Sequence, residues 1–132
     1  MVRVILDSNF FFVPSKFRID VFGELNEILG KAEPVVLSTT VEELRRLTTK
    51  GTPKMRRQAQ AAMEYTGRCE TVNVEKDVGE SCDDVVLRTA KEWGCAVATN
   101  DAKLRKRLRE SGVTVVFVRK RSRLEAEGKL RQ

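Results

Sequence analysis

Histidine is missing from all 132 residues of this chain. Its absence removes Ser-His-Asp and Cys-His nucleophile systems, His-ligated zinc hydrolases, and nucleases that use imidazole as acid and base. Any hydrolytic chemistry must rest on carboxylates, lysine, or a metal held by oxygen. Cysteine is scarce, odd in number and without a C-x-x-C pair: Cys69, Cys82 and Cys95. That pattern argues against a disulfide framework or a zinc knuckle and reads as reduced, partly buried filler. No apolar run approaches the roughly 20 residues of a membrane span. The N-terminus enters a strand-like segment directly, with no separate hydrophobic region and cleavage site. A cytoplasmic protein without membrane contact is the expectation.

What is present is ordinary in amount and uneven in placement. A 132-residue chain that is 41% hydrophobic and 33% charged suffices for one domain with a real core. Net charge is +6 and the isoelectric point is near 9.5, which points toward polyanions. The cations cluster in three places: Arg45 to Arg57, Lys103 to Arg109, and the run Arg119-Lys120-Arg121-Ser122-Arg123. One such cluster reads equally well as a solvated face. Three together point to nucleic acid, with Lys103, Arg105, Arg119, Lys120 and Arg121 as the candidate contacts.

Val2-Arg3-Val4-Ile5-Leu6 is nearly continuous in β-branched and aliphatic residues, as in a strand covered on both faces, and it stops at Asp7-Ser8-Asn9. Phe10-Phe11-Phe12-Val13-Pro14 is too apolar for a solvated loop; it packs on the sheet edge or forms an interface. Apolar residues at 22, 25, 28 and 29 predict a helix within Ile19–Leu29, ended by Gly30. Strand two is Pro34–Leu37. Thr39 or Thr40 caps the next helix, whose buried stripe is Val41, Leu44 and Leu47, with Glu43 on its flank and Glu42 pointing away. Thr52-Pro53 opens a helix to Gly67, Cys69–Val74 is strand three, and Ser81-x-x-Asp84 is a capping box for a helix ending at Gly94. Ala96–Thr99 is strand four, a helix runs through Leu104 and Leu108, and Val113–Val118 is strand five. Strands alternating with helices predict a parallel sheet covered on both faces. Residues 1–118 form the domain on this reading, and 119–132 form a basic C-terminal tail, mobile or weakly helical.

Four acids fall where such a sheet gathers its ligands. Asp7 lies just past strand one and Asp101 just past strand four. Glu43 sits early in the helix after strand two, and Asp84 starts the helix before strand four. Each has a structural reading of its own, as a cap or a turn residue. Together at one edge they would repel one another and raise each other's pKa values, a conflict that a divalent cation removes. Oxygen-only ligands favour Mg²⁺ or Mn²⁺ over zinc. Such ions, in pairs about 4 Å apart, serve phosphodiester cleavage.

The set Asp7-x-Asn9, Glu43, Asp84 and Asn100-Asp101 resembles the acidic signature of PIN-domain ribonucleases. Leu6-Asp7-Ser8-Asn9-Phe10, Val13-Pro14 and Ile19–Leu25 resemble an archaeal branch related to the small-subunit processome nuclease that cuts precursor ribosomal RNA. Val41–Leu44, Cys82–Val85 and Ala98–Asp101 continue the likeness. The resemblance implies a PIN-like three-layer α/β/α fold with a central parallel sheet of about five strands. It also implies a Mg²⁺- or Mn²⁺-dependent endoribonuclease with Asp7, Glu43, Asp84 and Asp101 as catalytic metal ligands, supported by Asn9 and Thr99. Ser8 stands where threonine is usual, so a hydroxyl is retained. Helical phase puts Asp83 nearer the apolar stripe, whereas the family's spacing to Leu87 and Ala90 favours Asp84; the spacing is preferred because phase is unreliable in a first turn. The implied partner is RNA, in particular a structured ribosomal precursor, with a homodimer, a ribosome-assembly factor or an antitoxin as further partners. The alternatives are a VapC-type toxin ribonuclease with the same chemistry and a non-catalytic RNA-binding scaffold. A phospho-acceptor receiver domain is discounted, because strand three ends in Val74-Glu75.

Overall fold

A computed structural model of the chain describes residues 1–128. Strand β1, Val2–Leu6, is the centre of the fold. It pairs in parallel with β2 (Ala32–Leu37) on one side and β4 (Ala96–Ala98) on the other, placing Ile5 beside both Val35 and Val97. Alternate side chains of a strand leave opposite faces, and each face here has its own core. Val4, Leu6 and Val36 pack with Leu25, Leu29, Leu44 and Ala62. Ile5, Val35, Leu37 and Val97 pack with Val85, Val86, Ala90, Leu104 and Leu108. The apolar continuity of Val2–Leu6 is therefore the mark of a strand buried between two helical layers.

After β1 the chain makes a short 3₁₀ helix over Ser8–Phe12 and a brief helix α1 (Val13–Phe17). Phe10 and Phe11 are fully buried by this fold-back. Helix α2 (Val21–Leu29) is capped by Asp20, whose carboxylate accepts from the Gly23 N–H at 3.2 Å. Helix α3 is Ser38–Leu47, and α4, Pro53–Thr66, has Thr52 as its cap. Strand β3 (Glu70–Val72), α5 (Cys82–Trp93), α6 (Ala102–Glu110) and β5 (Val115–Arg119) follow. The architecture is three-layer α/β/α, with five parallel strands in the order β3-β2-β1-β4-β5.

Three local expectations differ from the structure, the first being that Leu47, expected in the buried stripe of α3, is exposed at its last turn. Helix α3 begins at Ser38 and has no capping threonine. Ser38 Oγ instead donates to the Val74 carbonyl and accepts from the Val74 N–H, at 3.2 and 3.0 Å, so the helix starts straight off strand β2. The sheet also has a sixth strand. The stretch expected as a mobile or weakly helical tail contains β6 (Arg123–Glu127), antiparallel to β5. Leu124 is buried in the core, and its N–H donates to Glu24 Oε1 of α2 at 2.8 Å. Leu124 and Ala126 alternate with Arg123, Glu125 and Glu127 in a period-two pattern that heavy charge disguises. Lys120 and Arg121 turn the chain between β5 and β6 with φ of 52° and 58°. The rest of the expected tail, 129–132, lies outside the described residues.

Candidate active site

In this strand order the chain moves to one side of β1 with β2 and returns on the other with β4. That reversal opens a crevice at the carboxyl ends of β1 and β4, where open α/β sheets bind their ligands. Asp7 stands there. Its N–H donates to the Ala98 carbonyl at 3.0 Å, tying it to the end of β4. Asp7 Oδ1 accepts from the Ser8 N–H at 2.9 Å, and Oδ2 accepts from Asn9 Nδ2 at 2.8 Å and from the Thr99 hydroxyl at 2.9 Å. The side chain is thus fixed by neutral donors at 3% exposure. Burial pushes its pKa up to about 6. Thr99 and Ser8 hydrogen bonds oppose that rise, and the charges of Asp83 and Glu43 add to it.

Asn9 and Thr99 join the two strand ends around Asp7. Thr99 Oγ1 also accepts from the Asp101 N–H at 3.1 Å, and Asn9 Oδ1 accepts from the Asn100 N–H at 3.0 Å. Asn100, which the resemblance includes without a role of its own, extends the brace: its Oδ1 accepts from the Val118 N–H at 2.9 Å. Asp101 caps α6, with both bonds, from the Lys103 and Leu104 N–H groups, falling on Oδ1.

The two remaining acids come from helices that begin at the same edge. Glu43 lies on α3, half-buried, close enough to raise the pKa of Asp7, Asp83 and Cys82. On α5 the structure separates Asp83 from Asp84. The Asp83 carboxyl is raised by burial, then by the charges of Asp101 and Glu43. Asp84 is occupied elsewhere: Oδ2 accepts from the Ser81 N–H at 2.9 Å to complete the capping box, and Oδ1 is paired with Arg107 at 2.8 Å. The backbone bond to Ser81 and the Arg107 bond hold it below the usual carboxylate range. The capping bond and the Arg107 pair turn the Asp84 carboxylate toward the start of its own helix and toward α6. Asp7, Glu43, Asp83 and Asp101 therefore share one electrostatic field; Asp84, the acid expected from spacing, adds its charge to Asp83 but is itself engaged by Ser81 and Arg107.

Among the described residues, no three of Asp, Glu or Cys are clustered tightly enough to form a ready-made ion cage. The donor set nonetheless suits a hard cation. It is all carboxylate, its most buried member carries a raised pKa, and none of the ion pairs in the described residues involves Asp7, Glu43, Asp83 or Asp101. The expected basic contacts divide. Arg105 is paired with Glu127 at 2.6 Å and Arg119 with Glu125, whereas Lys103, Lys120 and Arg121 are exposed with no carboxylate partner among the described residues.

Residues 4–121 match the family described as PIN like domain. The chain belongs to the PIN-domain ribonuclease family. Ribonuclease VapC4 of Methanocaldococcus jannaschii is 30% identical over 134 residues, covering 97% of this chain and 98% of that protein. Ribonuclease VapC9 of Archaeoglobus fulgidus is 24% identical over 123 residues, covering 93% of this chain and 87% of that one. The solved PIN domain endonuclease Utp24 superposes with a TM-score of 0.80 at 26% identity, over 97% of this chain and 92% of its own. The PIN-domain assignment makes the protein a nuclease hydrolase. No helix among the described residues is long and apolar enough to cross a membrane.

Proposed function

We propose that this PIN-domain ribonuclease is an Mg²⁺- or Mn²⁺-dependent endoribonuclease, with Asp7, Glu43, Asp83 and Asp101 as the residues that would hold the ion. One observation carries the reading: Asp7 is buried beside like charges, with a pKa near 6 and no cationic side chain bonded to it. When bound, such an ion supplies charge stabilisation at the scissile phosphate and lowers the pKa of the attacking water. The chain's own residues do the positioning. Asn9 and Thr99 hold Asp7 in a single orientation, and the α6 N–H groups do the same for Asp101. Lys103 and the turn Lys120-Arg121 present exposed charge for the RNA backbone.

Precursor ribosomal RNA is the substrate we favour, supported by the N-terminal resemblance and the 0.80 TM-score likeness to Utp24. A VapC-type toxin is an equally supported second reading, resting on the 30% identical relative from M. jannaschii. The chemistry is tested first: purified protein should cut structured RNA with Mn²⁺, and Asp7→Asn should abolish cutting. Intact RNA under both conditions would leave a non-catalytic scaffold. The biology is tested next by expression in a host without any antitoxin. Growth arrest that Asp7→Asn relieves supports the toxin, and unimpaired growth supports processing.

A further inference from the structure

Beside the acidic crevice, and sharing Asn9 with it, lies a groove of about 700 Å³. Its walls include three aromatic rings, Phe12, Phe17 and Phe117, and three cations, Lys16, Arg105 and Arg121. The cations stand over the rings. Arg105 lies 3.6 Å from the Phe117 ring centre, while Lys16 and Arg121 lie 5.3 and 5.8 Å from that of Phe17. Of the Phe10-Phe11-Phe12 run, the first two rings fill the core, and Phe12 is half-buried in the groove wall. Phe17 is half-buried as well.

Rings and cations in one groove select among occupants. An apolar partner would satisfy the phenylalanines and leave Lys16 and Arg121, neither with a carboxylate partner among the described residues, facing hydrocarbon. A second copy of this +6 chain would set like charge against like charge. Phe117 is buried beneath Arg105, so Phe12 and Phe17 are the rings within reach, and an unpaired nucleotide offers them a π face and the cations a phosphate. Duplex RNA keeps its bases stacked on one another and offers no such face. Arg121 also holds its charge in a left-handed conformation, φ 58°, which a glycine would adopt without strain. The junction with the crevice adds direction. Asn9 lines the groove and donates to Asp7 Oδ2, so a base seated here carries its neighbouring phosphate toward the acids.

We propose that this groove is a stacking subsite for an unpaired nucleotide adjoining the scissile phosphate, with the Phe17 ring as the stacking face and Lys16 and Arg121 as the phosphate contacts. The proposal rests on the ribonuclease reading above and deepens it. The test uses the full chain in EDTA, which separates binding from cutting. The probe is a short single-stranded oligoribonucleotide carrying 2-aminopurine, compared with the same sequence annealed into a duplex. Phe17→Leu, which keeps bulk and removes the π face, should weaken single-strand binding at least about fivefold, the lower end of one base–aromatic stack. Phe17→Tyr should restore it, and duplex binding should not change in either variant. Arg121→Gln should flatten the salt dependence of single-strand binding by about 0.7 in log–log slope.

Equal single-strand affinities for wild type and Phe17→Leu, or 2-aminopurine fluorescence left unquenched, would overturn the subsite. So would a Phe17→Leu effect confined to a monomer–dimer equilibrium, which would assign the groove to a second copy. In each of those cases Mn²⁺-dependent cutting by wild type, lost in Asp7→Asn, would leave the ribonuclease reading standing. Failure of wild type either to bind or to cut RNA would remove both.

Discussion

Glu127 on strand β6 is held by Arg105 at 2.6 Å and Arg109 at 3.3 Å, whereas Asp7 at the end of β1 has only uncharged donors. The contrast extends to neighbours. Glu125 meets Arg119 on the hairpin, while Glu43, Asp83 and Asp101 at the crevice have no ion pair among the described residues. Cations are not scarce in a chain with 25 lysines and arginines. At the hairpin every carboxylate is neutralised as it is placed. At the crevice no carboxylate is directly ion-paired, Arg107 acts on Asp83 only through space, and burial makes the remaining charge costly. Many surface carboxylates also lack an ion pair; what sets the crevice apart is that Asp7 is buried and that both it and Asp83 are raised by like charges, which is the basis for proposing a cation there.

The comparison is broken most sharply on α5, where adjacent aspartates fall on opposite sides of it. Asp83→Asn should lower Mn²⁺-dependent cleavage about 10³-fold, taking a lost ligand as roughly 4 kcal/mol of transition-state stabilisation. Asp84→Asn should leave the rate near wild type and lower the melting temperature, since it removes a capping contact and the Arg107 pair. Initial rates of both variants on one RNA decide between them. The reverse ranking would put Asp84 in the metal site and Asp83 outside it.

The next effect concerns stability without metal. The Asp7 carboxyl has a pKa of about 6 when folded, against an ordinary 3.8, so the fold binds its proton more tightly than the unfolded chain does. Its contribution is therefore full below about pH 4 and is lost as pH rises through 6, by about 3 kcal/mol in all. Asp83, also raised by burial and like charge, adds in the same direction. Asp7→Asn escapes this loss but orphans one of three donors, costing about 1 kcal/mol. In EDTA at pH 8 the variant should be more stable than wild type by about 2 kcal/mol, with the gap closing at about pH 4.5 and reversing to about 1 kcal/mol in favour of wild type at lower pH. Urea unfolding across pH reads this directly, and a gap independent of pH would mean that Asp7 is not under electrostatic strain.

Adding Mn²⁺ should reverse that ranking. At a hundred times its dissociation constant the ion stabilises the folded form by about 2.7 kcal/mol, and Asp7→Asn should forfeit the gain. Thermal melts with and without Mn²⁺ provide the measurement. Equal shifts in wild type and variant would place the binding elsewhere.

The layers were legible in the sequence because burial writes simple periods. Val2–Leu6 reads as a doubly covered strand, and Asp7 as its end, without reference to anything distant. Parallel β/α alternation then puts strand ends and helix starts at one edge, which gathers Asp7, Glu43 and Asp101 by topology alone. Strand β6 escaped notice because only Leu124 and Ala126 interrupt a charged stretch, and the hairpin that makes them a buried face is tertiary. On α5, helical phase and the family's spacing pointed to different aspartates, and phase pointed to the one in the field of the other acids. The capping box itself was readable, and it engages one oxygen of Asp84 while Arg107 engages the other. Which acids would lack a cation was beyond reading, since that depends on where the arginines of α6 and β5 land in space.

The smallest predicted effect tests the paired side of the comparison. Glu127→Gln removes a partner from Arg105 and Arg109, both partly exposed and able to turn to water, so stability should fall only slightly. Salt screens such pairs, so the difference in melting temperature from wild type should shrink further as ionic strength rises. The maximal cleavage rate at saturating RNA should hold, because Glu127 lies outside the field of the four crevice acids, while release of Arg105 in the groove wall acts on RNA affinity. The sign carries the information: without metal at pH 8, replacing a carboxylate by its amide should destabilise the protein at Glu127 and stabilise it at Asp7. If both substitutions stabilised the metal-free protein, repulsion would be spread over the whole surface, and the crevice would lose its claim to be the place where carboxylates are strained by burial and like charge.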